Sequence, residues 1–277
     1  MKSFLNVFIV LIILTGCSDS QAHKEESEEV QEDVLEDEEE NVEGKEKNNN
    51  GEEEQEEEEK AVEESPAEPE YIMNRVWAFE PIDDASEEVV LLTFDDAPDK
   101  HGLEMAETLH ELGAPAIFFV NGHFINTPEK KETLKEIHDL GFAIGNHTMT
   151  HASLQAISEE EQKSEIVDLN DQIEEIIGER PEFFRAPFGQ NTELTEQIAK
   201  DEGMLLMNWT YGYDWEADYQ DADALADIMV NTELLVPGAN LLMHDREWTA
   251  EAIPDIVEGF KEKGYKLLDP KLIKIDE

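Results

Sequence analysis

Cysteine is almost absent: Cys17 is the only one in 277 residues. No internal disulfide can form, and beyond residue 17 the chain has no thiol nucleophile and no thiolate metal ligand. Long apolar runs are missing too. A membrane-spanning helix needs roughly 20 apolar residues, and Phe4–Leu14 supplies about half of that. Basic residues are few: 20 Lys and Arg face 70 Asp and Glu, for a formal charge of −50. Such a surface repels phosphate backbones and anionic bilayers, which excludes nucleic acid as a partner. There is no internal repeat and no sign of a second folded domain.

The acidity is uneven. Residues 18–70 hold 25 acidic and 4 basic residues, so they cannot bury enough apolar surface to offset chain entropy. They are expected to form a disordered acidic linker, able to reach about 180 Å when fully extended. Ahead of it, Met1-Lys2-Ser3 and the run Phe4–Leu14 have the proportions of a secretory signal. The ending Leu14-Thr15-Gly16-Cys17 resembles a bacterial lipobox, in which the cysteine becomes the lipidated first residue. The expectation is a lipoprotein-type signal peptide over 1–17, a linker over 18–70 and a folded domain over 71–277. The protein is then extracytoplasmic, anchored to the cell membrane through Cys17 and facing the wall. Residues 71–277 still carry 45 acidic against 15 basic side chains, a surface suited to a saline or alkaline medium.

From Tyr71 onward, strand-like runs alternate with amphipathic stretches. Strands are predicted at Val89–Phe94, Ala116–Val120, Phe142–Ile144, Phe183–Arg185, Met204–Met207, Asn240–Met243 and Tyr265–Leu267. Helices are predicted at Leu103–Leu112, Glu129–Leu140, Glu159–Ile177, Thr192–Asp201, Ala222–Leu234 and Ala250–Lys263. Ser158 and Glu161 make a capping box, and glycines 113, 141, 178, 203 and 264 each follow a helix. This alternation means an α/β fold with a parallel sheet, and seven strands suggest a distorted (β/α)7-type barrel.

On such a fold, chemistry collects where strands end. Val89–Phe94 reads as a strand buried on both faces, and it runs straight into Asp95-Asp96-Ala97-Pro98. Adjacent carboxylates at the mouth of a core need a compensating cation, although a turn or helix cap reads similarly. His147 and His151 are four apart, a spacing that on a helical turn lets both imidazoles reach one ion. That pair is weak evidence alone, and Thr148 stands where a zincin needs glutamate. A carboxylate from the first strand could complete an O/N/N set with open positions for water and substrate.

In order along the chain stand Thr93-Phe94-Asp95-Asp96-Ala97-Pro98, His147-Thr148-Met149-Thr150-His151, Arg185-Ala186-Pro187-Phe188, Asp214-Trp215 and Leu242-Met243-His244. These five motifs resemble those of polysaccharide deacetylases of the NodB-homology type, carbohydrate esterase family 4. The resemblance implies a divalent ion, zinc or alternatively cobalt, held by Asp96, His147 and His151. It implies Asp95 as catalytic base, His244 as the acid for the leaving amine, and the Phe188 N–H as an oxyanion donor. Arg185 would orient Asp95, Asp214 would hold Arg185 or His244, and Trp215 and Leu242 would wall the acetyl pocket. His101, His110, His123 and His138 are assigned no chemistry.

The implied activity is metal-dependent removal of N-acetyl groups from a polysaccharide. The linker favours N-acetylglucosamine residues of peptidoglycan as substrate. Chitin oligomers and acetylated xylan are alternatives. Two alternatives of other classes are a non-catalytic wall-binding lipoprotein and an acidic segment that binds cations. The chain departs from the family pattern twice. Ala97 replaces the usual glycine, which adds strain if that position needs positive φ. Asn208–Trp215 lacks an aspartate that many relatives carry before the final Asp-Trp.

Overall fold

The computed structural model describes residues 68–275. The predicted signal peptide, Cys17 and nearly all of the predicted linker lie outside the described residues. The chain begins with a short antiparallel hairpin, β1 (Tyr71–Met73) and β2 (Phe79–Pro81). Sequence reading missed it because three-residue strands carry no periodicity.

The parallel sheet follows. Its strands are β3 (Val89–Ala97), β4 (Ala116–Val120), β5 (Ala143–Asn146), β6 (Phe183–Phe184), β7 (Leu205–Leu206), β8 (Ala239–His244) and β9 (Lys266–Leu267). The order is β7-β6-β5-β4-β3-β8, with β9 pairing the first residues of β3. The sheet curls, and the segment after β7 reaches β8 through a parallel bridge between Tyr211 and Leu241. The predicted distorted (β/α)7-type barrel is therefore present.

Among the described residues, six α-helices cover the outside: α1 (Gly102–Glu111), α2 (Pro128–Asp139), α3 (Glu159–Ile177), α4 (Glu193–Asp201), α5 (Ala222–Asn231) and α6 (Glu247–Glu262). α3 has its predicted span and capping box, and ends at Gly178 with φ +83°, a conformation that favours glycine. α5 stops three residues short of the predicted Leu234. Thr232 turns extended there, and its hydroxyl accepts the Leu234 N–H at 3.2 Å, competing with the helical ladder. No helix among the described residues is long and apolar enough to cross a membrane.

Successive side chains of a strand point to opposite faces, and this sorts the core. Outward residues such as Val90, Leu92, Phe94, Phe118 and Val120 pack beneath the helices. Inward residues Val89, Leu91, Ile117, Phe119 and Phe183 meet Tyr71 and Phe79 of the hairpin, with Leu268 and Ile273. The barrel interior is thus apolar at its base and plugged there. Continued upward, the same inward rows reach Thr93 and Asp95 on β3, the position of His147 beyond β5, Arg185 beyond β6, and Asn240, Leu242 and His244 on β8. Gly145 matters in this layer, because a Cβ there would lie 2.5 Å from the Phe119 ring. Its absence lets Phe119 lie flat across the interior as a floor for the residues above.

Candidate active site

Asp95 and Asp96 are adjacent on a strand and should face opposite ways. The β3–β4 register shifts between Phe94 and Ala97, and Asp96 takes φ +60°, the left-handed region. The irregularity turns both carboxylates to one rim. Asp95 is buried and Asp96 partly so. The expected strain at Ala97 is absent: Ala97 is not left-handed and packs, fully buried, in the outer core. Asp96 bears the unusual conformation instead. Ala97→Gly is accordingly expected to leave turnover within about twofold while lowering stability by about 0.5–1 kcal/mol. Parallel steady-state assays and urea unfolding would check this.

The two histidines converge differently from the sequence expectation. Residues 147–151 form no helix; Thr148 (φ +71°) and His151 (φ +60°) coil the loop so that the imidazole rings stand 5.0 Å apart. Neighbours on both sides fix this shape. Asn121 Nδ2 donates to the His147 carbonyl at 2.5 Å, and the Gly122 and His123 N–H groups donate to the carbonyls of Thr148 and Met149. From α3, the Glu165 carboxylate accepts from the Thr150 N–H and hydroxyl, and its carbonyl accepts the Met149 N–H. Asn146, held by Asn170, accepts the Thr148 N–H at 2.8 Å.

One ligand atom each from Asp96, His147 and His151 lies within 4.8 Å of the others. His147 Nδ1 stands 2.7 Å from the Arg185 carbonyl. It can only donate there, so in the neutral ring Nε2 carries the lone pair that could ligate. Burial and the neighbouring His147 lower the His151 pKa despite Asp96 and Asp95, which favours the neutral imidazole a metal requires. Burial works against ionisation of Asp96, yet the surrounding histidines and Arg246 outweigh it and lower its pKa. The donor set therefore fits a divalent ion of the zinc type.

Arg185 is fully buried. It donates to Asp95 Oδ1 at 2.6 Å and to Thr93 Oγ1 at 2.8 Å, and its guanidinium carbon lies 4.3 Å over the Phe119 ring. On the opposite wall, His244 Nδ1 is 2.8 Å from Asp214 Oδ1. Asp214 holds His244, not Arg185, and is itself fixed by the Thr249 hydroxyl and the His244 backbone N–H. Burial disfavours protonated His244, but its bond to Asp214 and the charges of Asp214, Asp95 and Asp96 prevail and raise its pKa.

Phe188 has φ +59°, and its N–H makes no hydrogen bond among the described residues. Its exposed ring stands 4.8 Å from His151. The exposed Trp215 ring stands 5.7 Å from His244, and Leu242 is buried on the inward row between Asn240 and His244. Among the unassigned histidines, His138 faces Glu179 at 3.5 Å, away from this rim.

Three participants have no role in the sequence reading, which placed Asp245 at the rim and passed over Glu165 and Arg246. The buried Asp245 accepts the backbone N–H groups of Lys100, His101 and Gly102 and so pins the loop after Pro98. Glu165 clamps the histidine loop. Arg246 donates to Asp96 Oδ2 at 2.9 Å. No spacing rule links any of these to a partner so distant in the chain.

The polysaccharide deacetylase family model matches residues 83–207. The chain is 33% identical over 186 residues to a peptidoglycan-N-acetylglucosamine deacetylase of Bacillus cereus, covering 64% of this chain and 67% of that protein. The chain belongs to the polysaccharide deacetylase family. Its barrel superposes on a structure described as T48 deacetylase with substrate, with a TM-score of 0.61, 30% identity and coverage of 69% of this chain and 93% of that one. The peptidoglycan-N-acetylmuramic acid deacetylase PdaC of Bacillus subtilis is 30% identical over 193 residues, covering 67% of this chain and 38% of that protein. As a polysaccharide deacetylase of carbohydrate esterase family 4, the chain is a deacetylase hydrolase. The family model's match ends at residue 207, before Asp214 and His244.

Proposed function

We propose that this polysaccharide deacetylase removes N-acetyl groups from N-acetylglucosamine residues of peptidoglycan, using zinc held by Asp96, His147 and His151. The observation that carries the proposal is the convergence of that O/N/N set with an arginine-paired carboxylate on one side and an aspartate-paired imidazole on the other. The B. cereus relative's name supports the choice of sugar. Residues 71–277 then form the catalytic domain, behind a signal peptide (1–17) and linker (18–70), with Cys17 lipidated and the enzyme outside the cytoplasm at the membrane.

A divalent ion bound there supplies Lewis acidity, making water a better nucleophile and a carbonyl more electrophilic. Asp95 takes the proton of the attacking water, and Arg185 fixes its orientation. The Phe188 N–H, without a hydrogen-bond partner among the described residues, donates to the oxygen on which charge develops. Attack on the acetamide breaks the C–N bond only if the nitrogen leaves protonated, and His244, held protonated by Asp214, delivers that proton. Trp215 and Leu242 border the acetyl group.

The test is acetate release by the purified protein from N-acetylglucosamine oligomers, peptidoglycan and acetylated xylan. Peptidoglycan is expected to be preferred, with activity lost to chelator and restored by zinc or cobalt. Release from muramic acid residues only, the activity named for PdaC, would move the substrate to the other sugar. No release from any acetylated polymer would overturn the deacetylase mechanism.

A further inference from the structure

Two neighbouring carboxylates at one rim carry two negative charges, and each has its own arginine. Arg185 compensates Asp95 in the buried floor. Arg246, just before α6, compensates Asp96 from the mouth: one terminal nitrogen donates to Asp96 Oδ2 at 2.9 Å and the other to the Asp245 carbonyl at 2.8 Å. Its side chain is 35% exposed. The His151 imidazole faces the other oxygen, with Asp96 Oδ1 at 3.6 Å from Nε2. Arg246 thus occupies the oxygen that His151 does not face.

We propose that Arg246 is a positioning residue that shares Asp96 with the metal, reserving Oδ1 for the ion and lowering the ion's affinity by its charge. This rests on the metal reading above. The left-handed Asp96 backbone and the Asp245 clamp on residues 100–102 already fix the chain that carries the carboxylate. What Arg246 adds is chiefly a positive charge beside a cation site. A carboxylate that also answers to a guanidinium quenches a bound cation less, so the ion keeps more of its pull on a carbonyl oxygen. The site accepts weaker metal binding in exchange for a stronger electrophile.

Two substitutions separate charge from geometry. Arg246→Gln keeps an amide N–H to offer Oδ2 but removes the charge, whereas Arg246→Lys keeps the charge and loses the planar fork. Zinc affinity is measured on the full-length protein by competition with a chromophoric chelator. A His147→Ala/His151→Ala variant supplies the background from the acidic residues 18–70. Arg246→Gln is expected to bind zinc on the order of tenfold more tightly, and Arg246→Lys within about twofold of the parent. Equal or weaker zinc binding by Arg246→Gln would overturn the inference while leaving the metal site standing. A parent protein that binds no zinc above the histidine-variant background would overturn both.

Discussion

Asp95→Asn is expected to slow deacetylation by on the order of 10³- to 10⁴-fold, because the amide cannot accept a proton from water. The same substitution should also cost stability. Asp95 is the ion-pair partner of Arg185, which lies at 0% exposure over the Phe119 ring. Burial lowers the Arg185 pKa and Asp95 pulls it back up, but an arginine stays charged across the working range. Without Asp95 that cation has only neutral partners, Thr93 Oγ1 and the Asn208 carbonyl among them. Breaking one side of a buried pair costs about 3–5 kcal/mol. Turnover, zinc content and urea unfolding should be measured on one preparation. Retained zinc with lost turnover and lowered stability is the expected pattern, since Asp96 is untouched. Turnover that survives while stability falls would leave Asp95 as a counter-ion only.

His244→Ala should slow amide hydrolysis by about 10²- to 10⁴-fold and hydrolysis of an aryl acetate far less. An aryloxide departs without a proton; an amine does not. Equal losses on both substrates would remove His244 from the role of acid. The pH profile gives a second test. Burial opposes protonation of His244, but Asp214, with Asp95 and Asp96, raises its pKa above the ordinary 6.5. The acid therefore stays loaded to higher pH than an ordinary imidazole would, and amide turnover falls as pH climbs through that raised value. Asp214→Asn removes the largest source of the raise, so the alkaline limb should move to lower pH. Stability follows the same sign. A pKa raised by folding contributes stability that is complete below about 6.5 and disappears as pH rises through the folded value. The stability gap between the parent and His244→Ala should therefore narrow on the alkaline side.

The main strands, the helices and all five motifs were legible in the sequence because each is written in a short window. Val89–Phe94 declares a core strand by its side chains alone, and Ser158 with Glu161 declares the start of α3. The geometry of the motifs was less legible. The His147–His151 spacing suggested a helical turn, while the actual loop depends on Asn121, Glu165 and Asn170, contributed by other elements. The concern over Ala97 was displaced by one residue, because a register shift within β3 is set by its pairing with β4. Arg246 stands 150 positions from Asp96, and nothing local distinguishes it from an ordinary residue at the start of a surface helix. Proximity across the barrel, not spacing along the chain, makes it part of the site.

The plugged base of the barrel has a mechanical consequence. The described chain enters at residue 68, and Tyr71 is held there by pairing with β2 and by a bridge to Ile273. The reactive carboxylates lie at the other end of the same inward rows. Tension arriving through the preceding residues is therefore borne by the hairpin and the C-terminal segment, a full strand length from the working end. Were the enzyme held through the proposed lipid on Cys17, a pull from that side would be taken up at the base, away from Asp95, Asp96 and His244.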